Sequence, residues 1–111
     1  MDFTCSTADG ILVAAVTGRV DEASWEQFSA RMSQAVEEAA GAGQTELMLD
    51  LSDLDYMSSR GLRVLTIAKR QAEAHGMTIT LASPNDVMRE ILAISRYDKL
   101  FHVSATVDTG R

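Results

Sequence analysis

Short apolar runs alternate along this chain with longer stretches whose apolar residues recur at helical spacing, and that alternation restricts the fold more than any other feature. Ile11 to Val16 is rich in branched side chains, ends at Gly18 and reads as a buried strand. Before it, Phe3 to Thr7 alternates weakly, and Asp9-Gly10 gives the tight-turn signal that joins antiparallel strands, so the chain is expected to open with a hairpin. From Glu22 to about Ala40, residues Trp25, Phe28, Met32, Val36 and Ala39 fall on one helical stripe, with Asp21 expected as the N-cap and Gly41 and Gly43 as the stop. Leu47 to Leu51 reads as a second buried strand and Ser52 to Asp55 as the loop that leaves it. Leu62, Leu65, Ala68 and Ala72 predict a second helix over Ser59 to Ala74, closed by His75-Gly76.

Met77, Ile79 and Leu81 alternate with Thr78 and Thr80 as in a strand. Ser83-Pro84-Asn85-Asp86 then looks like N-cap, first-turn proline and dipole-favouring acid ahead of a third helix through Val87, Met88, Ile91 and Leu92. Phe101, Val103, Ala105 and Val107 alternate as a closing strand. Parallel strands need crossover helices, so this order predicts an α/β fold, a mixed and mostly parallel sheet of about four to five strands covered by helices. Strand order is left open. A chain of 111 residues is enough for one core, and residues 1–111 are expected to form one domain. Trp25, Phe28, Leu62, Leu65, Ile79 and Leu81 are the expected core.

Bulk properties narrow the function. A formal net charge of -6 argues against binding a phosphate backbone, so no nucleic acid partner is expected. One cysteine, Cys5, rules out an internal disulfide and suits a reducing compartment. No secretory signal opens the sequence and no apolar run reaches membrane-spanning length, so a cytoplasmic protein without direct membrane insertion is expected. His75 and His102 stand alone, and Asp50, Asp53 and Asp55 read as solvated loop carboxylates, so no catalytic residue, metal or cofactor is expected. Ser59 and His75 would lie at opposite ends of a helix about 24 Å long at about 1.5 Å per residue, too far apart for a catalytic pair.

One segment stands out. Loops beyond the carboxyl ends of strands are where partners engage, and Ser58-Ser59 falls there, at the start of the second helix. Free N-H groups in the first turn would favour an anion on either serine, although spacing alone favours the simpler reading that one of them is there to cap the helix. Gly61 in that turn costs about 1 kcal/mol against alanine and hints at close approach by another surface.

The stretch Leu47-Met-Leu-Asp-Leu-Ser-Asp-Leu-Asp-Tyr-Met-Ser-Ser-Arg-Gly-Leu-Arg-Val-Leu65 resembles the central motif of STAS domains, the family of bacterial anti-sigma factor antagonists. Gly18-Arg19-Val20-Asp21 is similar to that family's Gly-x-x-Asp motif. By element order the resemblance covers about residues 10 to 103. It implies that Ser59, two residues before the glycine, is phosphorylated by a serine kinase that doubles as an anti-sigma factor, with a PP2C-type phosphatase as the opposing partner. It also implies that Asp21 lies near the switch and that Asp21, Ser58, Ser59, Arg60, Gly61 and Arg63 bind the partner. Two departures qualify it: Arg60 stands where a small residue is commoner, and the sequence stops at Arg111 where many members continue into an amphipathic helix. A second reading keeps the fold without the switch, as a fixed subunit of a membrane transport or lipid-trafficking assembly.

Overall fold

The computed structural model describes residues 1–107. Strands β1 (Asp2–Ala8) and β2 (Ile11–Val20) form the expected hairpin, and the turn is tight because Asp9 and Gly10 both take positive φ, 53° and 77°. Then follow α1 (Trp25–Gly41), β3 (Glu46–Asp50), β4 (Leu54–Met57), α2 (Ser59–Ala74), β5 (Thr78–Ala82), α3 (Asp86–Ile94), α4 (Tyr97–Leu100) and β6 (His102–Ser104). The sheet runs β1-β2-β3-β5-β6, with β4 paired to β2. Apart from the antiparallel β1–β2 pair the pairings are parallel, as crossover helices require.

There are six strands rather than four to five, because the segment expected to be a loop after Leu51 contains β4. Its origin lies in β2. That strand is ten residues long against five for β3, so only Leu12 to Ala15 pair with β3, and Gly18 to Val20 project beyond it. The short segment Leu54–Met57 takes up those free backbone groups, burying Leu54 and Met57. Gly18 makes the change of partner possible: its φ is +85°, the register shifts between Gly18 and Arg19, and its N-H donates to the Asp53 carbonyl at 3.0 Å. An L-residue in the left-handed region costs about 1–2 kcal/mol, so Gly18→Ala is expected to lower the unfolding free energy by about that amount in a urea titration.

Alternation along the strands gives the sheet two faces. Leu12, Ala14, Val16, Leu47, Leu49, Ile79 and Leu81 share one core with Phe28, Met32 and Val36 of α1 and Leu65, Ala68 and Ala72 of α2. Ile11, Val13, Met48 and Ala82 form a smaller cluster of opposite parity. Phe28, Leu65, Ile79 and Leu81 are buried as expected, whereas Trp25 and Leu62 are only partly buried at the margin of the core.

Several boundaries differ from expectation. Helix α1 begins at Trp25 with Ser24 before it, so Asp21 is not its N-cap and Glu22 lies outside it. Asp21 instead opens the preceding turn, where its carbonyl accepts the Trp25 N-H at 2.9 Å. Helix α3 is capped by Asn85, whose Oδ1 accepts the Met88 N-H at 3.0 Å, and not by Ser83, which has a positive φ of 54°. Proline 84 therefore precedes the cap. The closing strand is limited to His102–Ser104, with Ala105 and Val107 exposed beyond it, and the short helix α4 had no clear periodic signal.

Candidate functional site

The pairing of β2 with β4 sets Val20 beside Met57, and so brings the segment after β2 next to the start of α2. Ser58 sits at that junction in extended conformation. Its N-H donates to the Val20 carbonyl at 2.8 Å, its carbonyl accepts the Leu62 N-H at 2.9 Å, and its Oγ accepts the Gly61 N-H at 3.3 Å. Ser58 is the buried N-cap of α2. Ser59 is the first helical residue, exposed, with no hydrogen bond from its hydroxyl to any described residue. The two serines that spacing alone left equivalent therefore differ: one holds the helix start and the other stands free upon it.

Gly61 is buried beneath them. A Cβ there would lie 2.6 Å from Met57 Cγ and 2.8 Å from Val20 Cγ1. The close approach hinted at by this glycine thus comes from the chain's own β2 and β4, which fix the position of the α2 N-terminus. Overpacking costs about 1–3 kcal/mol and alanine recovers up to about 1 kcal/mol of helix propensity, so Gly61→Ala is expected to lose about 1–2 kcal/mol in chemical denaturation. Equal or greater stability would mean that Met57 moves aside freely.

Asp21 is turned to its own loop. Its Oδ1 accepts the Ala23 N-H at 3.0 Å and lies 3.1 Å from the Ser24 hydroxyl. The Ala23 N-H, then the Ser24 hydroxyl, and more weakly the Arg19 guanidinium hold its carboxyl below the usual carboxylate range. Asp21 is therefore ionised at neutral pH and stiffens the loop that flanks Ser58.

Two arginines follow Ser59. The Arg60 guanidinium lies 5.2 Å from the centre of the Trp25 ring and 3.4 Å from Glu22 Oε2, which draws it toward α1. Arg63 is exposed and has no ion pair among the described residues. With Trp25, Ser29, Val64 and Ile67 these arginines line a groove of about 290 Å³ between α1 and α2. Trp25, Glu22 and Ile67 were not assigned to this site from the sequence, Trp25 being expected in the core. The available signal was Ile67 itself, an apolar residue off the Leu62, Leu65, Ala68 and Ala72 stripe.

Other candidates are not part of this site. His75 closes the far end of α2, with Nε2 2.8 Å from Glu37 Oε2, while Asp50 Oδ1 accepts the Ser52 N-H at 3.0 Å within its own loop. No group of three or more His, Cys, Asp or Glu able to hold a metal occurs among the described residues, and none of their helices is long and apolar enough to cross a membrane. Cys5 is on β1, its thiol pushed up first by burial and then by Glu38, which opposes the reactive thiolate.

Residues 3–110 match the STAS domain. BtrV of Bordetella bronchiseptica, provisionally named an anti-sigma factor antagonist, is 33% identical over 104 residues, covering 94% of this chain and 86% of BtrV. A crystal structure from Thermotoga maritima, given the same provisional description, superposes with a TM-score of 0.81 at 18% identity, covering 95% of this chain and 87% of that one. The anti-sigma factor antagonist SpoIIAA aligns in its unphosphorylated form with a TM-score of 0.73 at 21% identity, covering 92% and 87% of the two chains. Its phosphorylated form, from Bacillus, gives 0.65 at 23%, covering 92% and 90%. At these identities the solved structures establish the shared fold, a mixed sheet covered by helices. Matched over nearly its whole length and one-third identical to BtrV, the chain belongs to the STAS domain family.

Proposed function

We propose that this chain is an anti-sigma factor antagonist controlled by phosphorylation of Ser59. In its unmodified form it binds a serine kinase that doubles as an anti-sigma factor, and so regulates transcription indirectly. Phosphorylation releases it, and a PP2C-type phosphatase restores the hydroxyl. The observation that carries this reading is the division of labour at the start of α2: Ser58 supplies the cap, leaving the Ser59 hydroxyl exposed and without a structural task.

In the transfer, Ser59 Oγ attacks the γ-phosphorus of ATP held by the kinase, the bond to the β,γ-bridging oxygen breaks so that ADP leaves, and the hydroxyl proton passes to a base of the kinase. The chain supplies the acceptor and no catalytic group. The phosphate adds about -1.5 to -2 charges at neutral pH. A partner surface shaped around a neutral hydroxyl would then have to bury an anion without a counter-charge, which costs several kcal/mol, and about 1.4 kcal/mol is tenfold in affinity. No internal hydrogen bond of Ser59 is lost on modification, so release needs no refolding. SpoIIAA, similar in fold, exists in phosphorylated and unphosphorylated forms, which supports the reading.

Asp21, Ser58 and Gly61 fix the geometry of the loop and helix start, while Ser59, Arg60 and Arg63 face the partner. In this reading the chain works in the cytoplasm, with no contact of its own to nucleic acid or membrane. The test is to incubate it with its cognate kinase and ATP and map the product by mass spectrometry. Phosphate on Ser59 is expected; an unmodified Ser59, or label elsewhere, overturns the assignment.

A further inference from the structure

We propose that the groove between α1 and α2 seats an acidic, amphipathic segment of the partner protein, and that a phosphate on Ser59 competes with that segment for Arg63. This inference rests on the function proposed above and names what its docking surface recognises.

The floor of the groove is apolar, formed by Trp25, Val64 and Ile67. Beyond Ile67 it continues as a smaller cleft of about 140 Å³ over Met32 and Ala68, ending where the Gln71 amide lies 3.3 Å from Ser33 Oγ. Ile67 is 54% exposed although it belongs to a helix whose other large aliphatic residues turn inward. An exposed apolar strip rimmed by polar groups suits an occupant with apolar side chains of its own.

Charge selects the rest of its chemistry. The chain as a whole is acidic, with 16 acidic residues against 10 lysines and arginines. At this groove the rim is Arg60 and Arg63, and Arg63 has no ion pair among the described residues. A basic segment would be repelled there, whereas a carboxylate on the occupant would give Arg63 a bidentate counter-ion. An apolar floor that includes a tryptophan, rimmed by arginines, is the composition found where binding energy concentrates.

Coupling to the switch follows from helix geometry. Arg63 is four residues after Ser59 on α2, one turn along the same face, so a phosphate on Ser59 lies within its reach. Arg60 is already drawn to Trp25 and Glu22, which makes Arg63 the cation that the phosphate would capture. Phosphorylation would thus add an anion and also remove the charge that the acidic segment needs.

The test is calorimetric titration of the full unphosphorylated chain with the kinase/anti-sigma factor, comparing wild type, Ile67→Asp, Arg63→Glu, Arg63→Gln and, as an exposed apolar residue of α3 outside the groove lining, Ile94→Asp. Ile67→Asp and Arg63→Glu are each expected to weaken binding by at least about tenfold, Arg63→Gln by about threefold and Ile94→Asp by less than about threefold. Fluorotryptophan at position 25, the chain's one tryptophan, should show a shifted fluorine resonance in the complex. If Ile67→Asp and Arg63→Glu bind like wild type while Ser59 phosphorylation still releases the chain, the groove assignment fails and the proposed function stands. Tighter binding by Arg63→Glu would refute an acidic occupant, and equal losses in Ile67→Asp and Ile94→Asp would refute a local groove. If wild type does not bind at all, both proposals fall.

Discussion

A Phe28→Ala chain is expected to lose about 3–5 kcal/mol of unfolding free energy, a large share of the about 5–15 kcal/mol typical of a domain. Phe28 is fully buried on α1, and its ring centre lies 6.2 Å from that of Phe3 on β1. It packs within the core that joins both helices to the sheet. Truncation would remove its buried area and leave a cavity at the contact between α1 and the edge of the sheet, where interiors relax only partly. The measurement is a urea titration followed by far-ultraviolet circular dichroism. A loss below about 1 kcal/mol would mean that α1 is not seated as described, and the groove it forms with α2 would go with it.

The second large effect separates two neighbouring serines. Ser59→Ala should abolish phosphate incorporation while changing stability by no more than about 0.5 kcal/mol, the usual range for an exposed side chain without a structural bond. Ser58→Ala should do the reverse: incorporation continues, but the Gly61 N-H loses its acceptor and the chain is destabilised by about 0.5–2 kcal/mol. Labelling by radioactive ATP and thermal melts on both variants decide the matter. A Ser59→Ala chain that is labelled as strongly as wild type, or one that is destabilised as much as Ser58→Ala, would contradict the assigned division of labour.

The hairpin, α1, α2 and β5 were legible because each carries its own local signal: Asp9-Gly10 for the turn, period-3.6 stripes for the helices, and alternation for the strand. Strand β4 had none. Ser52-Asp53-Leu54-Asp55 reads as polar loop, and Leu54 to Met57 becomes a strand only because β2 extends past β3 and needs a new neighbour, a cause that lies more than thirty residues away in sequence. The caps were misplaced for a related reason. Asp21 and Ser24 both have cap chemistry, and hydrogen bonds inside their own turn decide between them, the Asp21 carbonyl accepting the Trp25 N-H and the Ser24 Oγ accepting the Asp21 N-H. Between Ser83 and Asn85 a tertiary contact favours the second: Asn85 Nδ2 also donates to the Leu54 carbonyl at 2.7 Å, tying α3 to β4.

At the site, the family resemblance singled out Ser59, but spacing alone could not say which serine caps the helix. Gly61 was legible as a close approach, although not as one made by Met57 and Val20. The stacking of Arg60 on Trp25 joins residues on different helices and leaves no local pattern to read.

In the proposed function, charge at Ser59 decides whether the partner stays bound. The most direct test is isothermal titration of the anti-sigma factor with the unmodified chain and with the chain carrying phosphate on Ser59 alone, after circular dichroism has shown the two to be equally folded. Binding is expected to be weakened by at least about a hundredfold in the phosphorylated form, the consequence of several kcal/mol for an anion buried without a partner. Equal affinity of the two forms would contradict it.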